Sequence, residues 1–209
     1  AFKESFCKDE ETKKKYKDVG LVIKISEAEL STDDEKIINS VVDKDDNIYY
    51  MCGHLNKTEV NSLIADVDVY VSLHRSEGFG LVMAEAMYVG TPVIATNWSG
   101  NTEFMNSDTA CMVGYDMKEL DKDYEPFKKG NLWADAHVDE AAQFMKKLYE
   151  DKEFLKLLNY YTTYKDDQPL KDLVMKIYEF ITSVPFPEKW LNEAVEDFDV
   201  GNQDFANTK

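Results

Sequence analysis

The chain has 209 residues, of which 44% are apolar and 12% aromatic, and it carries a formal net charge of −17. That is enough apolar material for one well-packed domain, or one domain with appended helices, and it excludes global disorder. The acidic balance speaks against a basic face for nucleic acid or anionic lipid. A small anion can still be held by local backbone dipoles, because a distant net charge is screened over about 8–10 Å. Cys7, Cys52 and Cys111 are widely spaced and read as reduced core thiols, and with three scattered histidines they form no zinc pattern. The most apolar stretch, residues 78–95, is interrupted by Glu85, Gly90 and Pro92 and does not read as a membrane span.

In chain order, residues 1–16 read as one charged amphipathic helix. It begins in mid-pattern with no capping residue before it, which sets the expectation that the chain is part of something longer. Residues 20–26 are an apolar run rich in β-branched side chains, as suits a buried strand. A helix over 31–42, with Asp33 and Asp34 in its first turn, leads to a second strand over 47–51. Asn56 and Glu59 form a capping-box-like start to a helix that ends near Asp66. A third strand covers 67–73, a short helix 80–89 closed by Gly90 and Pro92, a fourth strand 92–96 and a fifth 110–114. Alternation at this spacing predicts an α/β fold with a doubly wound, mostly parallel sheet. A polar loop is expected over 116–130, then helices near 138–150, 152–161 and 168–182. The segment from Pro185 onward has six Asp/Glu against two Lys; 188–198 could form one more helix, and 201–209 is expected to be disordered. The domain boundary therefore falls at 183/184.

The turn after the third strand runs from His74 through Gly80 directly into a helix. Open α/β sheets bind ligands beyond the carboxyl ends of their strands. Glycines allow close backbone approach, and free amides at a helix start make a seat for phosphate. The bland alternative is a tight turn whose glycines serve packing alone. Glu85 is the one charged residue between Gly78 and Thr102, on a helix apolar nearly all round, so it must find donors. Paired hydroxyls of a ligand would serve, and so would a neighbouring backbone. A dinucleotide fingerprint is excluded, since Met83 holds the third glycine position.

The run SLHRSEGFGLVMAEAM over residues 72–87 resembles the signature of family 4 glycosyltransferases, also called group 1. Its core is two glutamates with seven residues between them, here Glu77 and Glu85. The stretches 90–96 and 98–104 are also typical, and the run 72–80, with Ser99, Gly100 and Asn101 and the later Leu132, Trp133 and Ala134, is similar to bacterial polysaccharide mannosyl- and rhamnosyltransferases. The likeness covers roughly residues 20–158. It implies the C-terminal, donor-binding half of a GT-B enzyme, a Rossmann-like domain with added C-terminal helices. By position, Glu85 would bind the donor's ribose hydroxyls, and Glu77 would lie at the transferred sugar as the catalytic carboxylate. Gly78, Phe79, Gly80 and Leu81 would offer amides to the sugar or diphosphate. Ser99, Gly100 and Asn101 would line the same site. Arg75 is either a source of charge for the donor or a salt bridge that shapes the loop. Lys24 is a candidate to face the donor, and His74 reads as structural sooner than catalytic.

The resemblance further implies a retaining hexosyltransferase that needs no metal or other cofactor, with GDP-mannose as the first donor to consider and UDP-sugars next. The acceptor would be a glycan or lipid-linked intermediate, met by an N-terminal domain that this chain does not contain. The first strand of the donor domain and its arginine–lysine clamp are also not seen in the sequence. The chain is therefore expected to be inactive by itself. The expected setting is the bacterial cytoplasm, at most peripheral to the inner membrane face. A stand-alone nucleotide-sugar-binding module, or an inactive remnant, is the competing reading.

Overall fold

The computed structural model describes residues 1–25, 32–42, 45–124 and 127–162. Internal packing divides the chain into Ala1–Lys165 and Asp166–Lys209, and every described residue lies in the first unit. The helices expected over 168–182 and 188–198, the tail expected to be disordered and the 183/184 boundary all lie outside the described residues.

Two short helices open the chain, α1 (Phe2–Phe6) and α2 (Glu10–Lys15). The single helix expected over 1–16 is thus corrected. Asp9 is extended and its carboxylate accepts from the Thr12 amide at 2.8 Å, so it caps a new helix and breaks the first. Then follow β1 (Leu21–Ile25), α3 (Thr32–Val42), β2 (Ile48–Cys52), α4 (Lys57–Asp66), β3 (Tyr70–Ser72), α5 (Leu81–Tyr88), β4 (Val93–Thr96) and β5 (Cys111–Val113). The capping box at Asn56 forms in full: Asn56 Oδ1 accepts from the Glu59 amide, and Glu59 accepts from the Asn56 amide.

The polar loop expected over 116–130 is also corrected. Its first residues form β6 (Tyr115–Glu119) and the rest connects it to β7 (Leu132–Ala136), the two strands making an antiparallel hairpin in register from Tyr115 opposite Ala136 to Glu119 opposite Leu132. Four of the five β6 residues are exposed, so no buried face printed an apolar alternation on the sequence. The last helices are α6 (Val138–Glu150) and α7 (Lys152–Thr162).

β1 pairs with β2 in parallel, and β3, β4 and β5 form a separate parallel sheet with β4 at its centre. All four residues of β4 are buried. Val93 and Ala95 pack with Ile64, Met83, Ala86 and Met87 beneath α4 and α5. Ile94 packs the other way, with Cys111, Val113, Ala141, Leu148 and Leu158 beneath α6 and α7. This is the helix–sheet–helix layering of a doubly wound fold, and it explains why β4 reads as a continuous apolar run. Burial pushes the Cys111 thiol up to about 11, as befits an inert core thiol.

A third cluster joins Phe2, Phe6, Tyr16 and Ile48, with Met145 and Tyr149 of α6 against it. Beside it the nearly buried Asp45 carboxylate takes Lys3 and Lys13 at 2.7 Å each. Hydrogen bonds from Lys13 and then Lys3 hold that carboxyl below its usual range. A lowered folded value means that Asp45 contributes fully above its unfolded value, near pH 4, and that this contribution fades as pH falls through the folded one. Asp45→Asn is expected to cost about 1–2 kcal/mol at pH 7. The gap to the native chain should narrow below about pH 4, which urea denaturation at pH 7 and pH 3 would test. An equal gap at both would contradict it.

Candidate active site

The loops that follow β2, β3 and β4 all leave from the carboxyl ends of their strands. The first candidate loop passes from β3 through Arg75, Glu77 and Gly78 to Gly80, which sits at φ +92° and starts α5 with no side-chain cap. A residue with a Cβ would be strained there. The first-turn amides of α5, beginning with Leu81, are therefore not covered by a capping side chain.

The second loop, at residues 97–99, ends in a 3₁₀ turn over Gly100–Glu103. The two loops are tied backbone to backbone. The Gly100 amide donates to the Glu77 carbonyl at 3.3 Å, and Ser99 Oγ donates to the same carbonyl at 2.5 Å. Ser99 is held at φ +78°, a conformation that costs a non-glycine residue about 1–3 kcal/mol. Among the described residues it is the one non-glycine with positive φ. A Cβ on Gly100 would lie 2.2 Å from the Gly78 carbonyl oxygen, whereas a Cβ on Gly78 would meet nothing within 4 Å. So Gly100 is needed for contact between the loops, and Gly78 faces open space.

Behind this contact lies a buried polar network. His74 Nε2 donates to the Trp98 carbonyl at 2.9 Å and to Asn101 Oδ1 at 3.1 Å, while Ser72 Oγ lies 3.2 Å from Nδ1. Two acceptors around Nε2 put the proton there. Asn101 is fully buried and its Nδ2 donates to the Thr96 carbonyl at 3.0 Å; Thr96 Oγ1 donates to the His74 carbonyl at 2.8 Å. His74 and Asn101 thus sit behind the open face and hold the two loops together. Phe79 packs on Phe104, ring centroids 4.8 Å apart, and fixes the loop from its other side.

The two glutamates stand on the open side. Burial first, then the charges of Glu77 and Glu85, push the Tyr70 hydroxyl above its usual range. Glu77 Oε1 accepts from the Gly78 amide at 3.1 Å, which shows that this amide receives an anionic oxygen. Glu85 keeps 23% of its side-chain surface and is ion-paired to Lys57, the first residue of α4. The donor that its environment demands is therefore a lysine, sooner than a neighbouring backbone. Arg75, the chain's one arginine, turns toward the hairpin. Its guanidinium lies 4.5 Å over the Trp133 ring and 3.4 Å from Asp135, and its carbonyl accepts from the Ala134 amide at 3.0 Å. Lys24 donates to the carbonyls of Ile25 and Gly53, pinning the ends of β1 and β2. A cleft of about 250 Å³ bordered by Asp66, Asp68, Gly90 and Leu155 lies at the opposite, amino ends of β3 and β4, away from all of these groups.

The family model described as glycosyl transferases group 1 matches residues 45–165, more than half of the chain. The chain belongs to the group 1 glycosyl transferases. Among solved structures, this domain is similar to Anabaena Alr3699/HepE, solved in complex with UDP-glucose, with TM-score 0.55 and 17% identity, covering 79% of this chain and 41% of that one. WaaG, a glycosyltransferase involved in lipopolysaccharide biosynthesis, matches with TM-score 0.52 and 16% identity, over 86% of this chain and 51% of its own. The pneumococcal O-GlcNAc transferase GtfA, solved with UDP and GlcNAc, matches with TM-score 0.51 and 17% identity, over 81% and 30%. These likenesses confirm the α/β fold with mostly parallel sheets. Among curated proteins, an ATP-dependent helicase/nuclease of Clostridium botulinum (strain Alaska E43 / Type E3) is 47% identical over 51 residues, which is 24% of this chain and 4% of that protein. So short a share of that protein carries no activity across.

In this domain, sequence reasoning missed Lys57 and Asp135, and named Trp133 only as part of a resemblance, without its contact to Arg75. Lys57 had one legible signal, a cation at the head of the helix that follows β2. Asp135 had none, and nothing tied Trp133 to Arg75, because the loop they contact is about 60 residues away. Among the described residues, no helix is long and apolar enough to cross a membrane.

Proposed function

We propose that this domain binds a nucleoside diphosphate sugar at the carboxyl ends of β3 and β4 and serves a retaining transfer of a hexose to a glycan or lipid-linked acceptor. The observation that carries the reading is the uncapped start of α5 beside the open space at Gly78, with Glu77 in the loop that leads into that helix and Glu85 on the helix itself. Glu85 would accept from the ribose hydroxyls and Glu77 from the hydroxyls of the transferred sugar. Amides of Phe79, Gly80 and Leu81, joined by that of Gly78 once the Glu77 carboxylate turns from it to the sugar, would take developing charge on the diphosphate, without a metal. Ser99 and Gly100 shape this face; His74 and Asn101 support it. The neighbours solved with UDP-glucose and UDP favour a uridine donor at least as well as the GDP-mannose that the sequence brought forward. The chain spans 30–51% of the solved relatives it matches, so the acceptor is assigned to a further domain, and transfer would proceed at the cytoplasmic membrane face.

A second reading, a binding module without turnover, is supported by Arg75: its guanidinium is held on Trp133 and Asp135 and is not free to meet a diphosphate.

The test is calorimetric titration of the chain with UDP, GDP, UDP-glucose and GDP-mannose, in EDTA, with Glu85→Gln beside the native protein. Selective binding is expected, weakened in Glu85→Gln by about 2 kcal/mol, roughly 30-fold. Equal affinity in both proteins, or no binding at all, would remove the assignment.

A further inference from the structure

The geometry points to Lys57 as a positioning residue that sets the Glu85 carboxylate for a ribose diol, an inference that rests on the donor-site reading above. Three observations carry it. Lys57 lies at the carboxyl end of β2, on the ligand side of the fold, fixed in place by the capping box at Asn56 and Glu59. Its ammonium reaches across to α5 and pairs with Glu85 Oε1, and among the described residues no side chain or amide donates to Oε2. The partners are unequal in exposure: Lys57 keeps 55% of its side-chain surface, Glu85 only 23%.

An ion pair this exposed adds little to stability. Its effect on a ligand is different. A carboxylate has about four acceptor sites, and a single ammonium uses one of them, so pairing with Lys57 does not block a diol. It holds Glu85 in one rotamer, which lowers the entropy lost when hydroxyls bind. It also offsets one negative charge close to where an anionic ligand must arrive, in a chain whose net charge is −17. Lys57 therefore supports recognition of the 2′-hydroxyl through Glu85 and touches no reacting atom.

The experiment titrates the full chain with UDP against 2′-deoxy-UDP and GDP against 2′-deoxy-GDP, for the native protein, Lys57→Met, Lys57→Arg and Glu85→Gln. The native chain is expected to prefer the ribonucleotide roughly tenfold. Lys57→Met should reduce that preference to about twofold, chiefly by weakening the ribonucleotide. Lys57→Arg should restore most of it. A merely structural role for Lys57 would weaken both nucleotides alike and leave their ratio intact, and that result overturns the inference. So does a native ratio in Lys57→Met with no loss of affinity. If Glu85→Gln itself keeps the full preference, the donor-site reading falls. If Glu85→Gln loses the preference and Lys57→Met keeps it, the role of Lys57 alone falls.

Discussion

Replacing Gly100 by alanine is expected to destabilise the domain by about 3 kcal/mol and to abolish nucleotide binding with it. The added methyl would stand 2.2 Å from the Gly78 carbonyl oxygen, 2.7 Å from the Gly78 carbonyl carbon and 2.8 Å from Phe79 Cα. All three are backbone atoms, so no side chain can swing aside. Relief requires the two loops to part, which breaks the bonds from the Gly100 amide and the Ser99 hydroxyl to the Glu77 carbonyl. Glu77 and the start of α5 would then lose their common frame. Gly78→Ala is the control. Its methyl enters open space, so stability should stay within about 0.5 kcal/mol while nucleotide affinity falls. Urea denaturation and titration of both variants would check this; native-like stability in Gly100→Ala would show that the loops do not touch as described.

The second large effect is expected from Asn101→Ala, at about 2–3 kcal/mol. Asn101 is fully buried, accepts from His74 Nε2 and donates to the Thr96 carbonyl, so it links the loop after β3 to the end of β4. Truncation leaves a cavity and removes both bonds. The cost is bounded because Trp98 still serves both neighbours: its carbonyl accepts from His74 and its amide donates to Thr96. Nucleotide affinity should fall as well, since the variant loosens the frame that holds Glu77. A stability loss below about 0.5 kcal/mol in chemical denaturation would show that the network is not buried in solution.

The fold was legible where one strong local rule decided the outcome. The buried run of β4, the capping box at Asn56 and the apolar stripe of α6 each carry their own signature. It was illegible where a contact distant in sequence decided. The β6–β7 hairpin is polar on most of one strand and is held by backbone pairing and by Trp133, which stacks on both Arg75 and Tyr124. The break at Asp9 depended on one capping bond winning over a continuous charged pattern. At the site, Glu85 stood out in the sequence as a lone charge on an apolar helix, and Glu77 only through the family resemblance. The pairing of Lys57 with Glu85, 28 residues away, was not legible, and neither was the turn of Arg75 toward a strand 60 residues on.

The separation of β1–β2 from β3–β4–β5 has a mechanical meaning. Among the described residues no backbone ladder joins the two sheets. α6 touches both, through Met145 and Tyr149 on one side and Ala141 and Leu148 on the other. Whether the two halves open together or one after the other is therefore decided by side-chain packing along α6 and along α4, whose Ile64 lies in the core with Val93 and Ala95. The Lys57–Glu85 ion pair, from the helix after β2 to the helix after β3, is then one more side-chain tie across a seam that no ladder closes.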